Sequence, residues 1–273
     1  MMLGGISLAM TQPRGAGAAA PAPSYDAMTT AYLAAMAVQP TATQAGWYDE
    51  LIAGLRSDGD LTGLTHLYLF VGENTADAGL INVIAPGTNN ITKLGTGTFV
   101  DNAGWTGNAV DGLLDTGYAI SAFQNDIMLA VYSTLDGVFG SAIGNSNSFI
   151  TPRNGSDAMS VRLNDGTSRT SANGTQTNGK GLHVARRNAS GVADAYKAWS
   201  RGTQMIAGSG SSQTPSAQTV CIGGRYTTGA TAFDGRTQGA AFIGRGVGVD
   251  TTEVARITAR FDTYMAHFGI SPT

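Results

Sequence analysis

An antiparallel β-sandwich, entered through two short helices and closed by a third, is the fold class this sequence predicts. Three observations predict it. From Leu67 onward, short apolar or alternating runs such as "IMLAVYST", "AMSVRLN", "GLHVARRN" and "TVCIGGRY" recur at regular spacing, and alternation at period two marks a half-buried strand. The segments between them, "GNSNS", "NDGTS", "NGTQTNG" and "GSGSSQTPS", are turn chemistry without intervening helices, which excludes a run of βαβ units. Finally, among 19 acidic residues only Glu50, Glu73 and Glu253 are glutamate, and 38 residues are glycine. Asp and Gly serve turns and strand ends, while Glu favours helices.

Taken in order, residues 1–23 read as an extended N-terminal arm. Leu3, Ile6, Leu8 and Met10 are followed by "TQPRGAGAAAPAP", a Pro/Gly/Ala spacer poor in core formers. An apolar peptide on such a spacer is an anchoring device, ordered by its partner. It lacks a basic residue ahead of its short apolar core and is not read as a signal peptide.

Residues 24–64 form a helical linker region. "PSYDAMTTAYLAAMAV" puts Tyr25, Met28, Tyr32 and Met36 on one face, with Ser24 expected as N-cap. Pro40 separates it from "TATQAGWYDELIAGLRSDG", where Trp47, Leu51 and Leu55 share a face beside Tyr48 and Ile52. Aromatics at helical spacing are expected to pack. The outward faces carrying Tyr25, Tyr32, Trp47 and Tyr48 are the expected self-association patch.

Residues 65–273 are the sandwich and its closing helix. Met128, Ala130, Tyr132, Val161, Leu163, Val184 and Ile222 fall on the apolar phase of their strands and are expected in the core. "GLHVARRNASGVADAYKAW" reads as a hairpin over Ala189-Ser190-Gly191, and "GNAVDGLLDTGY" as a strand pair turning at Asp111-Gly112 with Leu114 inward. Asp250 followed by Glu253 is a capping-box pattern. The stripe Val254, Ile257, Phe261, Tyr264 and Phe268 then runs to a C-terminal Gly269.

Several function classes are excluded by this reading. "GRGVGV" has Val249 where a dinucleotide fingerprint needs its third glycine, and no second strand follows the helix. A net charge of −3 argues against a broad nucleic-acid surface, and the basic pair Arg186-Arg187 is expected at a solvated strand edge. No apolar run reaches the length of a membrane span. The single Cys221 lies in an apolar run and is expected to be a buried strand thiol.

Paired carboxylates on one strand, as glycosidic chemistry needs, are missing. Glu50 and Glu253 fall on helices and Glu73 in a loop, and His66, His183 and His267 are scattered. H-E-x-x-H and G-x-S-x-G are absent. Asp157, Asp165 and Asp194 are oxygen donors without a calcium-loop spacing. The expectation is a non-enzyme with no cofactor and no metal. A saccharide site is expected to draw on Trp105, Trp199 and Tyr226 as platforms, with Asn145 and Asn147 in a loop beside them.

Three stretches carry a resemblance: "WYDELIAGLRSDGDLTGLTHLYLFVGENTADAGLINVI", "GWTGNAVDGLLDTGY" and "AAFIGRGVGVDTTEVARITARFDTYMAHFG". Together they resemble structural proteins of tailed bacteriophages that carry a concanavalin-A-like, laminin-G-like jelly roll. The resemblance implies a virion location, as fibre, baseplate or head decoration. It also implies attachment to other virion proteins through the arm, a homo-oligomer with the trimer favoured, and a lectin-like face for host-surface glycan. A carbohydrate-binding module acting as receptor-binding protein is the alternative, and a glycan hydrolase a more distant one.

Overall fold

The computed structural model describes residues 23–138, 140–227 and 230–272. Helices α1 (Ala27–Ala34) and α2 (Ala42–Ser57) lead into strand β1 (Leu64–Leu69) and the single turn α3 (Thr75–Ala78). Strands β2 (Thr92–Leu94), β3 (Thr98–Val100), β4 (Gly104–Thr106), β5 (Leu113–Ala119), β6 (Ile127–Ser133), β7 (Ile143–Gly144) and β8 (Ser148–Thr151) follow. Then come β9 (Ser160–Leu163), β10 (Arg169–Thr170), β11 (Gly181–Arg187), β12 (Tyr196–Ser200) and β13 (Thr203–Gly208). The chain finishes with β14 (Thr219–Ile222), β15 (Gly224–Thr227), β16 (Ala230–Phe233), β17 (Thr237–Gly244) and helix α4 (Thr251–Ala266).

Every described strand pair is antiparallel. One sheet of eight strands runs β13-β12-β11-β6-β17-β4-β3, with β1 also paired to β17; the other, of seven, runs β10-β9-β8-β7-β14-β5-β2. The predicted sandwich is therefore the observed fold.

The expected core positions are all buried, but they divide between two layers. Val161, Leu163 and Ile222 meet Leu129, Val131, Ala185 and Ala241 between the sheets. Met128, Ala130, Tyr132 and Val184 point the other way, onto the helices, with Phe242, Phe261, Leu51 and Ile52. The eight-stranded sheet is covered on both faces, so β6, β11 and β17 are buried throughout.

The seven-stranded sheet has one inward face only. Cross-strand partners Val161, Ile150, Ile143, Ile222 and Leu114 form its inner row. One residue further along, Arg162, Phe149, Gly144, Cys221, Asp115 and Thr92 form the adjacent row, and adjacent residues in a strand point to opposite faces. The β15–β16 ribbon packs on β7 and β14 across the middle of this outer row, burying Cys221 and Phe149.

The helix ends follow from local chemistry. Asp250 caps α4, its carboxylate accepting the Glu253 amide at 2.9 Å, and Gly269 beyond it takes φ +71°. The glycines of "GRGVGV" turn the last strand onto that helix: a Cβ on Gly246 would strike the carbonyls of Arg187 and Ile127. The α1 cap is Asp26, whose carboxylate accepts the Met28 amide at 2.9 Å, not Ser24.

Three further expectations need correction. Tyr32 and Tyr48 are fully buried between the helices and the covered sheet, so they form no self-association patch. Arg186 and Arg187 are not at a solvated edge, because β11 lies between β6 and β12. Arg187 is fully buried, paired with Asp165 at 3.1 Å and donating to the Leu163 carbonyl. Asp111-Gly112 makes no hairpin, since β4 and β5 belong to different sheets. Asp111 instead accepts from Thr96 across the crossing loop, while Leu114 does face the core.

No helix among the described residues is long and apolar enough to cross a membrane. The arm residues Leu3, Ile6, Leu8 and Met10 lie outside the described residues.

Candidate functional site

The residues expected to hold a saccharide are not brought together. Trp105 is fully buried; it packs on Phe99 at 5.0 Å, and Gly97 and Gly223 lie against its ring where side chains would collide. Trp199 is fully buried beneath α4, its indole N–H donating to Thr251 at 3.1 Å. A ring with no exposed face cannot stack on a sugar, so neither tryptophan is a platform.

Asn145 is buried turn chemistry. Its side-chain oxygen accepts the amides of Asn147 and Ser148, and its amide donates to the Gln218 carbonyl. Asn147 donates to the Thr214 carbonyl at 3.1 Å. Both tie one loop to another. Tyr226 is half-buried on the β15–β16 ribbon, on the open sheet's outer side. The candidate calcium donors stand in separate ion pairs: Asp157 with Arg153, Asp165 with Arg169 and Arg187, Asp194 with Lys197.

The tryptophan that reaches solvent is Trp47. It stands on the flank of α2, one step off the buried stripe of Gln44, Tyr48, Leu51 and Leu55. Its ring stacks on His267, just beyond α4, with centroids 4.8 Å apart and 6° between planes. Phe268 meets it edge-on at 5.1 Å.

A cleft of about 280 Å³ opens here, lined by Trp47, Glu73, Asn102, His267 and Phe268. A smaller hollow of about 90 Å³ also borders Trp47, lined by Glu50, Leu51, Arg260, Thr263 and Tyr264. Glu50 lies one turn along α2 from Trp47, where residues at i and i+3 share a face, and its carboxylate is 3.0 Å from the His267 ring. Glu73 is held by the start of α2, which supplies the Thr41 amide at 3.1 Å and the Gln44 side-chain oxygen to the Glu73 amide at 2.7 Å.

An aromatic ring flanked by acceptor carboxylates and an amide suits the mixed surface of a sugar, with an apolar ring face and a rim of hydroxyl donors. The sequence expects Trp47 to pack, and it does pack against the edge of the core; its accessible side is the part the pattern leaves unstated. The signal available was its place on the edge of the α2 stripe, with the acid Glu50 three residues on.

No family model and no curated protein matches the chain. Among solved structures it is similar to a mutant of Trypanosoma rangeli sialidase displaying trans-sialidase activity, with 11% identity over 80% of this chain and a TM-score of 0.53. It is also similar to Trypanosoma rangeli sialidase in complex with sialic acid, with 13% identity over 77% of the chain and a TM-score of 0.51. Domain 4 of an extracellular arabinanase from Geobacillus stearothermophilus, in complex with arabinotriose, matches 72% of this chain and 98% of that domain at 15% identity and a TM-score of 0.48. The chain spans 39% and 34% of the two sialidase chains, and at these identities the likeness shows the fold alone.

The sialidase structures correct the expectation of a non-enzyme. That expectation rests on the missing strand-borne carboxylate pairs, yet two structures that share the fold, at TM-scores of 0.53 and 0.51, are of enzymes.

Proposed function

We propose that the chain is a structural component of a tailed-bacteriophage virion, a fibre, baseplate or head decoration. Its N-terminal arm, residues 1–23, holds it to neighbouring virion proteins, and its lectin-type sandwich attaches to a host-surface saccharide. Trimerisation multiplies weak single contacts into firm attachment. The virion role rests on the sequence resemblance. The saccharide role rests on one structural observation, the Trp47 cleft, where an accessible indole stands among Glu50, Glu73, Asn102 and His267.

Two experiments test this reading. Deleting Met1–Pro23 leaves the melting curve unchanged and abolishes incorporation into particles; normal copy number without the arm would overturn the anchoring role. Binding to host-surface polysaccharide, measured by isothermal titration calorimetry, weakens about tenfold in Trp47→Ala, the scale of one lost stacking contact with its buried area. Unchanged binding would remove the cleft from the reading. Because the cleft also holds carboxylates, the same samples are assayed for reducing ends. Release that is lost in Glu50→Gln and Glu73→Gln would make the protein a hydrolase rather than an adhesin.

A further inference from the structure

The outer row of the open sheet carries a second feature, on the opposite side of the molecule from Trp47. Register places Arg162 directly across from Phe149, so the two side chains stand side by side on that face. From above, the ribbon lays the Arg225 guanidinium over the same ring, 3.7 Å from its centroid. One guanidinium therefore covers the phenyl ring and a second arginine stands beside that ring on the sheet; both arginines are half-buried.

Neither has a carboxylate partner among the described residues. The nearby Asp165 carboxylate is engaged by Arg169 and Arg187; Arg162 reaches only the carbonyls of Asp165 and Ser146. The Arg225 Nε is buried without any hydrogen-bond partner. Asp115 sits on the same row, but three strand spacings from Phe149, about 14 Å at the usual separation. That exceeds the screening length of about 8 Å at physiological salt. Burial, and after it the charge of Arg162, holds the Arg225 guanidinium below its ordinary pKa.

Two like charges near one another are unfavourable without a counter-charge, and the chain as a whole carries −3. Folding that brings them together without a carboxylate, and leaves the Arg225 Nε without any hydrogen-bond partner, creates a place for an anion. Guanidinium forks match the paired oxygens of a carboxylate or phosphate; that a saccharide bears the group rests on the glycan-attachment reading proposed above.

We propose that the outer face of the open sheet binds one oxyanion group of an acidic saccharide, its carboxylate or phosphate, between Arg162 and Arg225 beside Phe149. The site is independent of the Trp47 cleft, from which the thickness of both sheets separates it.

The test is a titration of the full chain with glucuronate, glucose 6-phosphate, inorganic phosphate and glucose. It is followed by NMR at the Arg162 and Arg225 Nε–H signals and, separately, at the Trp47 indole. The arginine signals are expected to move with glucuronate or with glucose 6-phosphate, whichever carries the preferred oxyanion, and to stay still with glucose. Arg162→Gln and Arg225→Gln each weaken that response at least tenfold, the scale of a charge-assisted hydrogen bond. Arg162→Lys recovers only part of it, because the charge returns without the fork.

Arginine signals that respond to glucose alone, or to none of the probes, would overturn the proposal. Inorganic phosphate binding as tightly as glucose 6-phosphate would overturn the saccharide assignment. If Arg225→Gln fails to fold, Arg162→Gln, which removes the less covered group, still decides the matter. Loss of the arginine response with the Trp47 response intact refutes this site alone; the reverse pattern refutes only the Trp47 cleft.

Discussion

The two sheets of the sandwich share one core and the same alternation of side chains, but they meet different surroundings. The eight-stranded sheet is pressed between its partner and helices α1, α2 and α4, so both phases of β6, β11 and β17 are buried. The seven-stranded sheet buries one phase and offers the other to a thin ribbon and to solvent. Polar groups in the first sheet turn to partners within the protein, as Tyr132 does to Asp262 at 2.8 Å and Ser133 to Gln238 at 3.0 Å, while the buried Tyr196 hydroxyl and His183 Nδ1 go without one. In the second, Arg162 and Asp115 can stand without ionic partners among the described residues. The helical cover turns one sheet into scaffold and leaves the other with an outer face open to solvent.

The strongest way to sharpen that contrast is to break a pair at the covered sheet. Arg236 and Asp234 are both fully buried and bonded at 3.0 Å. Arg236→Met strands a buried carboxylate and is expected to cost about 3–5 kcal/mol in urea unfolding. A loss below about 1 kcal/mol would mean that water reaches the pair.

Next come two phenylalanines. Phe242, stacked on Phe261 of α4 at 5.6 Å, should lose about 3–5 kcal/mol on truncation to alanine. Phe149, roofed mainly by one guanidinium, should lose about 2 kcal/mol, since that roof can settle into the gap. Equal losses would erase the distinction between helix cover and ribbon cover.

Proton linkage supplies a third test. The covered sheet holds His66 and His183 on its inter-sheet side, and burial lowers them to about 4 and about 3, from 6.5. Below pH 6.5 the unfolded chain takes up protons that the folded chain refuses, so each histidine removes stability as the pH falls from 6.5 toward its folded value. The slope is about 1.4 kcal/mol per pH unit per histidine. His183→Gln, which can still donate to the Gly179 carbonyl that His183 contacts at 2.9 Å, should flatten the unfolding-versus-pH curve by that amount. An unchanged slope would show that His183 is protonated in the fold.

Asp250→Ala, which removes the α4 cap, should cost about 1 kcal/mol. Arg162→Gln on the open face should change stability by no more than about 0.5 kcal/mol.

Much of the fold was legible because alternation and capping are local. The strands, the Asp250 cap and the inward Leu114 all follow from neighbours in sequence. What was illegible depended on which sheet a strand joined. Arg186-Arg187 looks like an edge until β11 is placed between β6 and β12, and Asp111-Gly112 looks like a hairpin until β4 and β5 part into different layers. The site misled for the same reason. Trp105 faces the core between the sheets and Trp199 lies under helix α4, and no local pattern announces a cover that arrives from elsewhere in the chain. Trp47 does pack, against His267 and Phe268 at the edge of the core, but only the meeting of α2 with the end of α4 leaves it half-buried.

The β15–β16 ribbon has a kinetic consequence. It lies over the one cysteine of the chain, Cys221, which is fully buried and whose thiol burial pushes well above its usual range. Since only the thiolate reacts, alkylation in the native state requires the ribbon to lift. The labelling rate, compared with that of the unfolded chain, becomes a stopwatch for that local opening. An anion seated under Arg225 would pin the ribbon and slow the clock, reporting occupancy without any signal from the ligand itself.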